Sequence, residues 1–333
     1  MRIFVFEFFS GGGLAGQPLP PTIAREGDMM LGALLRDLAD LPGVEVVAGR
    51  DPRLPPVSVS YLHEPLPGED TFGLYARGLA LADAAWPTAP ETGGTLERLG
   101  RQTEAAGKTL LGCRPDAVRL AASKRDTANV LRDAGITAVP TFSHADRLPG
   151  LSGPWVTKPD DGAGCEGSQL LPDRAAARAR LAEEPDRLVA QPWIEGAALS
   201  LSMLCYRGTA RLLSCNRQQV EVEDSRFTLQ GVVVNAFPDT NGCFAELASD
   251  IAAAIPGLWG YVGVDLVLTR HGPAVLEINP RLTTSYCGLR QAVGVNTAAM
   301  VLGLPRSSGY ADGLAAPTMS TAVEIVLGTS DAA

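Results

Sequence analysis

The strongest chemical signal in the sequence is a pair of carboxylates with an amide, carried by two apolar runs. Asp265 lies within the run 263–267, and Glu277 and Asn279 lie at the end of a second run, just before Pro280. Because side chains alternate along a strand, Glu277 and Asn279 face the same side, and a hairpin would bring Asp265 beside them. Such oxygen ligands suit Mg²⁺ (or Mn²⁺), which takes its other ligands from water and substrate phosphates. The pattern predicts a metal site, and its apolar flanks argue against the alternative of a solvated hairpin face.

Two lysines and a glycine-rich loop could hold the phosphates of such a substrate. Lys124 precedes a predicted helix, and Lys158 lies on a predicted strand that leads into Gly162, Gly164 and Gly167. Glycines let backbone N–H groups approach phosphate oxygens closely, and a lysine reaches phosphate as a point charge. Taken alone, each feature also fits a plainer alternative, namely a solvated surface lysine or a flexible hairpin turn.

One arginine completes the candidate phosphate site. Arg281 follows Asn279 and Pro280, on the side where the metal is predicted. A guanidinium can grip a phosphate through two parallel hydrogen bonds. We therefore expect Arg281 to contact the phosphoryl group that the metal also neutralises.

Composition excludes several classes of function. The 333 residues carry a net charge of −9, with 46% hydrophobic and 20% charged residues, so the chain can bury a large core but lacks the basic stripe of a nucleic-acid-binding protein. The sequence contains no run of eighteen apolar residues, so no membrane-spanning helix is predicted. Six scattered cysteines without a C-x-x-C pair indicate reduced thiols and a cytoplasmic location. Two G-x-G-x-x-G segments, at 11–16 and 162–167, lack the following helix that dinucleotide binding requires.

The alternation of predicted strands and helices changes twice along the chain. Up to about residue 113 the pattern is β/α, which predicts a parallel sheet with helices on both faces. Its first helix is expected from Ala24, because Pro18, Pro20 and Pro21 argue against an earlier start. Further on, strands are predicted at 138–142 and throughout the C-terminal half, with largely antiparallel pairing. We therefore expect three domains, at 1–113, 114–194 and 195–333.

Four motifs, in their order along the chain, resemble the ATP-grasp superfamily. They are the Lys124 segment, the Lys158 loop, the segment 189–196 and the pair of strands ending at Asn279. The resemblance covers residues from about 110 to 305. It implies an α/β ATP-grasp fold preceded by a Rossmann-like pre-ATP-grasp domain. It also implies an ATP-dependent carboxylate–amine or carboxylate–thiol ligase with ATP and Mg²⁺ as cofactors.

The resemblance also implies a role for each motif. Lys124 and Lys158 would contact the phosphates, and Arg281 would stabilise the phosphoryl group in transfer. Asp265, Glu277 and Asn279 would hold two bridging metal ions. The mobile loop over the phosphates would run from Gly162 to Ser168 and include Gly164 and Gly167. The hinge that recognises adenine would comprise Gln191, Pro192, Trp193 and Ile194. Ala198 stands where the family often has an acidic residue for the ribose, so either Glu195 takes that role or the ribose is held in another way.

Three short segments resemble one branch of the superfamily, the branch that contains tyramine–glutamate ligase. They are Phe6–Gly12, Pro90–Leu96 and Asn216–Gln218. The resemblance implies that the chain joins L-glutamate to tyramine or a related amine, in the biosynthesis of methanofuran, methylofuran and similar one-carbon carriers. Arg217, on a predicted strand of the C-terminal domain, is the candidate for binding the substrate carboxylate.

Two other functions stay open at this point. One is a ligase for another amino acid or a peptide, and the other is a sensor that binds ATP without turning it over. A sensor could lose a metal ligand, whereas this chain has all three, which favours an enzyme. The expected partners are a small-molecule acid and amine, with no nucleic acid and no membrane, and the sequence leaves a homodimer open.

Overall fold

The computed structural model describes residues 1–162, 165–304 and 319–327. Gly164, one of the glycines predicted to cover the phosphates, lies outside these described residues. Within them, no helix is long and apolar enough to cross a lipid bilayer.

The N-terminal part is a parallel five-stranded sheet with helices between the strands. Its elements are β1 (Arg2–Glu7), α1 (Pro21–Ala39), β2 (Glu45–Gly49), β3 (Tyr61–His63), α2 (Thr71–Leu79), β4 (Ala84–Thr88), α3 (Thr95–Ala105) and β5 (Thr109–Leu110). The strand order is β3-β2-β1-β4-β5, and every pairing is parallel. After β1 the chain continues to β2 on one side, and after β4 it continues to β5 on the other side. The connections therefore diverge at the carboxyl ends of β1 and β4 and leave a crevice there, which is where α/β proteins bind ligands.

The first helix begins earlier than its prolines led us to expect. Pro21 is the first residue of α1, and Pro20 is its N-cap. A proline is tolerated there because the first N–H groups of a helix have no partner inside the helix. The prediction of a start at Ala24 was therefore wrong by one turn. Leu31, Leu34 and Leu38 of α1 are buried against the sheet, as their helical spacing predicts.

The remaining described residues begin with two α-helices and continue as a nine-stranded sheet with four further α-helices. Its elements are α4 (Pro115–Ala122), α5 (Lys124–Asp133), β6 (Trp155–Pro159), β7 (Gln169–Leu171), α6 (Arg174–Glu183), β8 (Leu188–Pro192), β9 (Ala197–Tyr206), β10 (Thr209–Glu223), β11 (Arg226–Val234), α7 (Cys243–Ala254), β12 (Gly260–Thr269), β13 (Gly272–Asn279), α8 (Tyr286–Val293), α9 (Thr297–Gly303) and β14 (Val323–Val326). The strand order is β13-β12-β9-β10-β11-β7-β6-β8, with β14 paired to β11.

The hairpin formed by β10 and β11 connects strands β6–β8 to the larger antiparallel group of strands. At its tip, Arg226 of β11 pairs with Gln169 of β7, and the Leu170 N–H donates to the Ser225 carbonyl at 2.8 Å. The strand predicted at 138–142 does not form, because Ala138 and Phe142 make only isolated bridges to Val275 and Ala190. The antiparallel character predicted for the C-terminal half is confirmed.

Candidate functional site

The hairpin β12–β13 brings the three predicted metal ligands together. Asp265 lies directly opposite Glu277, and Gly263 lies opposite Asn279. The Asn279 amide donates to Asp265 Oδ2 at 3.1 Å, and Gln218 of β10 donates to Asp265 Oδ1 at 2.9 Å. Two carboxylates and amide groups thus converge on one face of the sheet, which is the arrangement that strand alternation predicted.

Both predicted phosphate-binding lysines point at the same carboxylate. Lys124 Nζ lies 3.4 Å and Lys158 Nζ 3.8 Å from Glu277 Oε2. Lys124 is 4% exposed and Lys158 9% exposed, so neither is the solvated surface lysine of the alternative interpretation. Two buried ammonium groups beside one carboxylate leave an excess of positive charge, which a polyphosphate would neutralise.

The pKa values of these groups reflect their burial and mutual charge. Burial, followed by the charge of the nearby Glu277, raises the pKa of the Asp265 carboxyl to about 7. Burial alone would also raise the pKa of Glu277, but the Lys124 and Lys158 ammonium groups outweigh it and hold that pKa below its usual range. Burial lowers the pKa of the Lys158 ammonium, against the attraction of Glu277.

The donor set fits a divalent cation. The negative charge of Glu277 repels a second negative charge on Asp265, so Asp265 resists ionisation. A cation between the two carboxylates would relieve this repulsion. The described part of the chain contains no group of three or more His, Cys, Asp or Glu side chains that could hold a metal ion, and this site offers two carboxylates and an amide. Asp265, Glu277 and the amide oxygen of Asn279 are the residues that would hold Mg²⁺.

Asp160, which the sequence interpretation did not single out, positions Lys124. Its carboxylate accepts hydrogen bonds from Ser123 Oγ at 2.7 Å and from the Arg125 N–H at 3.0 Å, and its carbonyl accepts from the Lys124 N–H at 3.1 Å. Ser123 is also the N-cap of α5 and accepts from the Asp126 N–H. Asp160 therefore joins the start of α5 to the end of β6 and places Lys124 near Lys158. The sequence signal was a carboxylate two residues after Lys158.

The described ends of the glycine loop lie beside the lysines. The Lys124 ammonium donates to the Gly162 carbonyl, and Gly167 has φ +68°, a left-handed conformation that favours glycine. The Ser168 N–H donates to the Cys165 carbonyl at 3.1 Å. Gly162, Gly167 and Ser168 thus lie on the lysine side of the candidate site, and their contact with phosphates stays a prediction.

The predicted adenine hinge begins at the end of β8. Gln191 is buried and donates to Thr141 Oγ1 at 2.9 Å, so its side chain is already engaged. Trp193 is 40% exposed, and its ring lies 5.9 Å from that of Phe227. Pro192 and Ile194 are partly exposed, and Glu195 is exposed. This surface is open to a ligand, while recognition of adenine by its backbone stays a prediction.

Arg281 connects the candidate metal site to the N-terminal sheet. Its Nη2 group donates to Glu91 Oε2 at 3.1 Å and lies 3.4 Å from Asn279 Oδ1. Glu91 follows β4 and is 6% exposed. Thr92 Oγ1 and the Gly93 N–H donate to Asp161, which opens the glycine loop, at 2.9 and 3.0 Å. The segment after β4 therefore lies between the glycine loop and Arg281.

Arg217 stands apart from the other predicted site residues. Asn216 pairs with Ser200 of β9, which pairs with Asp265 of β12, so Asn216 is on the face of the sheet that carries the metal ligands. Arg217 pairs with Leu199 on the opposite face, and its guanidinium lies over the Phe237 ring at 5.7 Å. The structure therefore places Arg217 away from the candidate metal ligands, and binding of the substrate carboxylate by Arg217 stays a prediction. The polar alternation Ser214, Asn216, Gln218 was the signal that identified the correct face.

Two protein families match the chain. The family described as "pre ATP-grasp 3 domain" matches residues 44–118, and the family described as "ATP-grasp domain" matches residues 121–285. The second match includes both lysines, Arg281 and all three candidate metal ligands.

Two curated relatives are tyramine–L-glutamate ligases from the genus Methanocaldococcus. Those of Methanocaldococcus jannaschii and Methanocaldococcus fervens are each 30% identical over 208 residues, which is 62% of this chain. The match covers 58% and 62% of their respective lengths, so the chain spans about three-fifths of the curated relatives that it matches.

Solved structures share the fold over nearly the whole chain. A putative ATP-grasp superfamily protein from Archaeoglobus fulgidus is 24% identical, with a TM-score of 0.71 over 91% of this chain and 88% of its own. An L-amino acid ligase from Bacillus licheniformis is 18% identical, with a TM-score of 0.63 over 91% and 73%. The biotin carboxylase domain of a Hydrogenobacter thermophilus 2-oxoglutarate carboxylase, solved with MgADP and bicarbonate, is 14% identical, with a TM-score of 0.68 over 93% and 70%.

Proposed function

Because the chain belongs to the ATP-grasp superfamily, with an ATP-grasp fold preceded by a parallel α/β pre-ATP-grasp domain, we propose that it is an ATP-dependent carboxylate–amine ligase. It would activate a carboxylic acid as an acyl phosphate, release ADP and pass the acyl group to an amine. We also propose that the chain has three domains, at 1–113, 114–194 and 195–333, and that the protein acts in the cytoplasm.

The observation that carries the proposal is the convergence of Lys124 and Lys158 on Glu277, opposite Asp265. Buried positive charge for phosphate and a hard-oxygen site for Mg²⁺ lie within one hydrogen-bonded group. Phosphoryl transfer requires positioning and charge neutralisation more than covalent help from the protein. This arrangement supplies both.

Each residue has a distinct task in the proposed reaction. Lys124 and Lys158 hold the phosphates of ATP, and Asp160 holds Lys124 in place. When bound, Mg²⁺ would neutralise charge on the phosphates beside Asp265 and Glu277. A carboxylate oxygen of the acid attacks the γ-phosphorus, the bond to the β-phosphate oxygen breaks, and ADP leaves. Arg281 stabilises the charge on the transferred group.

For the substrates we propose L-glutamate as the acid and tyramine or a related primary amine as the acceptor. The support is the 30% identity to two tyramine–L-glutamate ligases and the three segments that resemble that branch. An aromatic amine would require an apolar surface for its ring. The reaction would serve the synthesis of a one-carbon carrier of the methanofuran type.

A screen of acid and amine pairs tests this function. Purified protein with ATP and Mg²⁺ should release ADP only when both an acid and an amine are present, with the amide detected by mass spectrometry. Glutamate and tyramine should give γ-glutamyltyramine. An amide from a different pair would contradict the substrate assignment and leave the ligase assignment standing. ATP binding without ADP release from any pair would favour the sensor.

A further inference from the structure

The boundary between the two sheets contains a buried ion pair, Glu91 with Arg281, in which one donor atom and one acceptor atom are poorly aligned. Glu91 Oε1 and Arg281 Nε lie 3.0 Å apart, but their alignment does not make a hydrogen bond. Neither atom has another hydrogen-bond partner within residues 1–162, 165–304 and 319–327. A buried polar atom without a partner is costly, so such atoms often mark a place where a ligand completes the bonding.

The position of this pair relates it to the proposed reaction. Glu91 lies beyond the carboxyl end of β4, in the crevice beside β1, and its neighbours Thr92 and Gly93 bind Asp161 at the start of the phosphate loop. Arg281 lies beside Asn279 of the candidate metal site. A group bound to both atoms would touch the phosphate side through Arg281 and the N-terminal crevice through Glu91.

We propose that Glu91 is a catalytic residue that binds the nitrogen of the acceptor amine beside the acyl phosphate and takes its proton as the amide forms. This inference rests on the proposed ligase function and names a residue for its second step. Glu91 Oε1 accepts a hydrogen bond from the amine N–H. Arg281 Nε donates to an oxygen of the acyl phosphate, which places the two reactants side by side.

The step balances without any further reactant. The amine reacts in its uncharged form, and its lone pair forms the C–N bond to the acyl carbon while the C–O bond to phosphate breaks. The nitrogen then carries a surplus proton, which passes to Glu91 and from there to solvent. The departing phosphate takes up one proton from solvent. The sum is amine plus acyl phosphate giving amide plus hydrogen phosphate.

A purely structural role for Glu91 predicts something different. If Glu91 only held Arg281 in place, its loss would impair phosphoryl transfer and therefore both halves of the reaction. A proton acceptor for the amine is required only in the second half. The two roles can be separated with hydroxylamine, a small nucleophile that is largely uncharged at neutral pH and loses its proton to water readily once bonded to carbon.

The test compares Glu91→Gln with the unchanged protein in both assays. Glutamine can still accept from Arg281 Nη2 but cannot take a proton. With ATP, Mg²⁺ and glutamate, we expect hydroxamate formation from hydroxylamine to stay within about threefold of the unchanged protein. Amide formation from tyramine should fall by roughly 100-fold. Glu97→Gln, which removes another carboxylate paired with an arginine, Arg101, on α3, is the matched control and should change neither rate.

Three results decide between the proposals. An equal loss of hydroxamate and amide in Glu91→Gln would overturn the role of Glu91, and so would an unchanged rate of amide formation. Failure of the unchanged protein to form hydroxamate from any acid would instead contradict the ligase function itself. If Glu91→Gln does not fold, Glu91→Asp can be measured in the same two assays, and the ratio of amide to hydroxamate is compared with that of the unchanged protein. The carboxylate of this variant is withdrawn by one methylene, so the ratio of amide to hydroxamate should fall, and an unchanged ratio would overturn the proposal.

Discussion

Arg281 Nη2 donates a hydrogen bond to Glu91 Oε2 at 3.1 Å, although the two residues are 190 positions apart in the chain. The bond joins the end of β13, where the candidate metal ligands lie, to the carboxyl end of β4 in the N-terminal parallel sheet. The candidate site is therefore built by both sheets. Its behaviour should depend on both, and the following predictions test its separate parts.

Replacing Glu277 by Gln should lower kcat by two orders of magnitude or more. The change removes one of the two carboxylates that would hold Mg²⁺ and the shared counter-charge of Lys124 and Lys158. The rate of ADP release should be measured against Mg²⁺ concentration, with the surface variant Glu183→Gln as the control. Near-normal turnover of Glu277→Gln at ordinary Mg²⁺ would rule out the assigned metal site.

Replacing Lys158 by Met should weaken ATP binding by roughly 10- to 100-fold, since a hydrogen bond to a charged group contributes about 1.5–3 kcal/mol. Lys158 is 9% exposed and its ammonium faces Glu277, and we expect the fold to persist because methionine is also unbranched and fills most of the same space. Calorimetric titration with a non-hydrolysable ATP analogue measures the effect. Lys108→Met, which removes a lysine bonded to the Ala82 carbonyl, is the control and should bind normally. Equal affinities of the two variants would contradict the role of Lys158.

Replacing Gly167 by Ala should reduce turnover, whereas the same change at Gly107 should not. Both glycines have left-handed backbones, with φ +68° and +67°, so each substitution should cost roughly 1 kcal/mol of stability. An added Cβ at Gly167 would lie 3.0 Å from the Pro159 ring, next to Lys158, while at Gly107 it would meet open space. Thermal melting should therefore show similar losses, and ADP release should fall in Gly167→Ala alone. Equal turnover would indicate that the loop does not affect the site.

The contribution of Glu7 to stability should decrease as the pH rises from about 4.5 to about 7. Burial raises the pKa of this carboxyl to about 7, and the two hydrogen bonds that Ser10 donates only partly oppose that rise. Between the two values the folded state holds a proton that the unfolded state has released, so the free energy of unfolding falls by about 3 kcal/mol and is constant above pH 7. Urea unfolding of the unchanged protein and Glu7→Gln at several pH values measures the difference. A difference that does not vary between pH 5 and 8 would contradict the shift.

The sequence predicted the parts of the site that local pattern determines. Strand alternation placed Glu277 and Asn279 on one face, and a hairpin brought Asp265 beside them. Asp160 was missed because its role depends on the distance between α5 and β6, which no local spacing reveals. Arg217 was assigned from its residue type and its place on a predicted strand, whereas its neighbours Asn216 and Gln218 already indicated that the metal ligands share the opposite face.

The fold shows the same division between local and long-range information. The parallel N-terminal sheet follows from alternating strand and helix patterns, and the buried leucines of α1 follow from helical spacing. Pro21 was interpreted as an obstacle to helix formation. In the first turn of a helix, however, the backbone N–H groups have no partner within the helix, so a proline, which lacks this group, is tolerated there. Strand β14 was not predicted, because its pairing with β11 depends on a partner some 90 residues away.

Transfer of isotope from the acid to phosphate tests the central claim most directly. The protein should be incubated with ATP, Mg²⁺, amine and glutamate whose side-chain carboxylate carries ¹⁸O, and the released phosphate analysed by mass spectrometry. An acyl phosphate must pass one carboxylate oxygen to the phosphate, so the account predicts one ¹⁸O in each phosphate formed with an amide. Amide formation accompanied by unlabelled phosphate would contradict it.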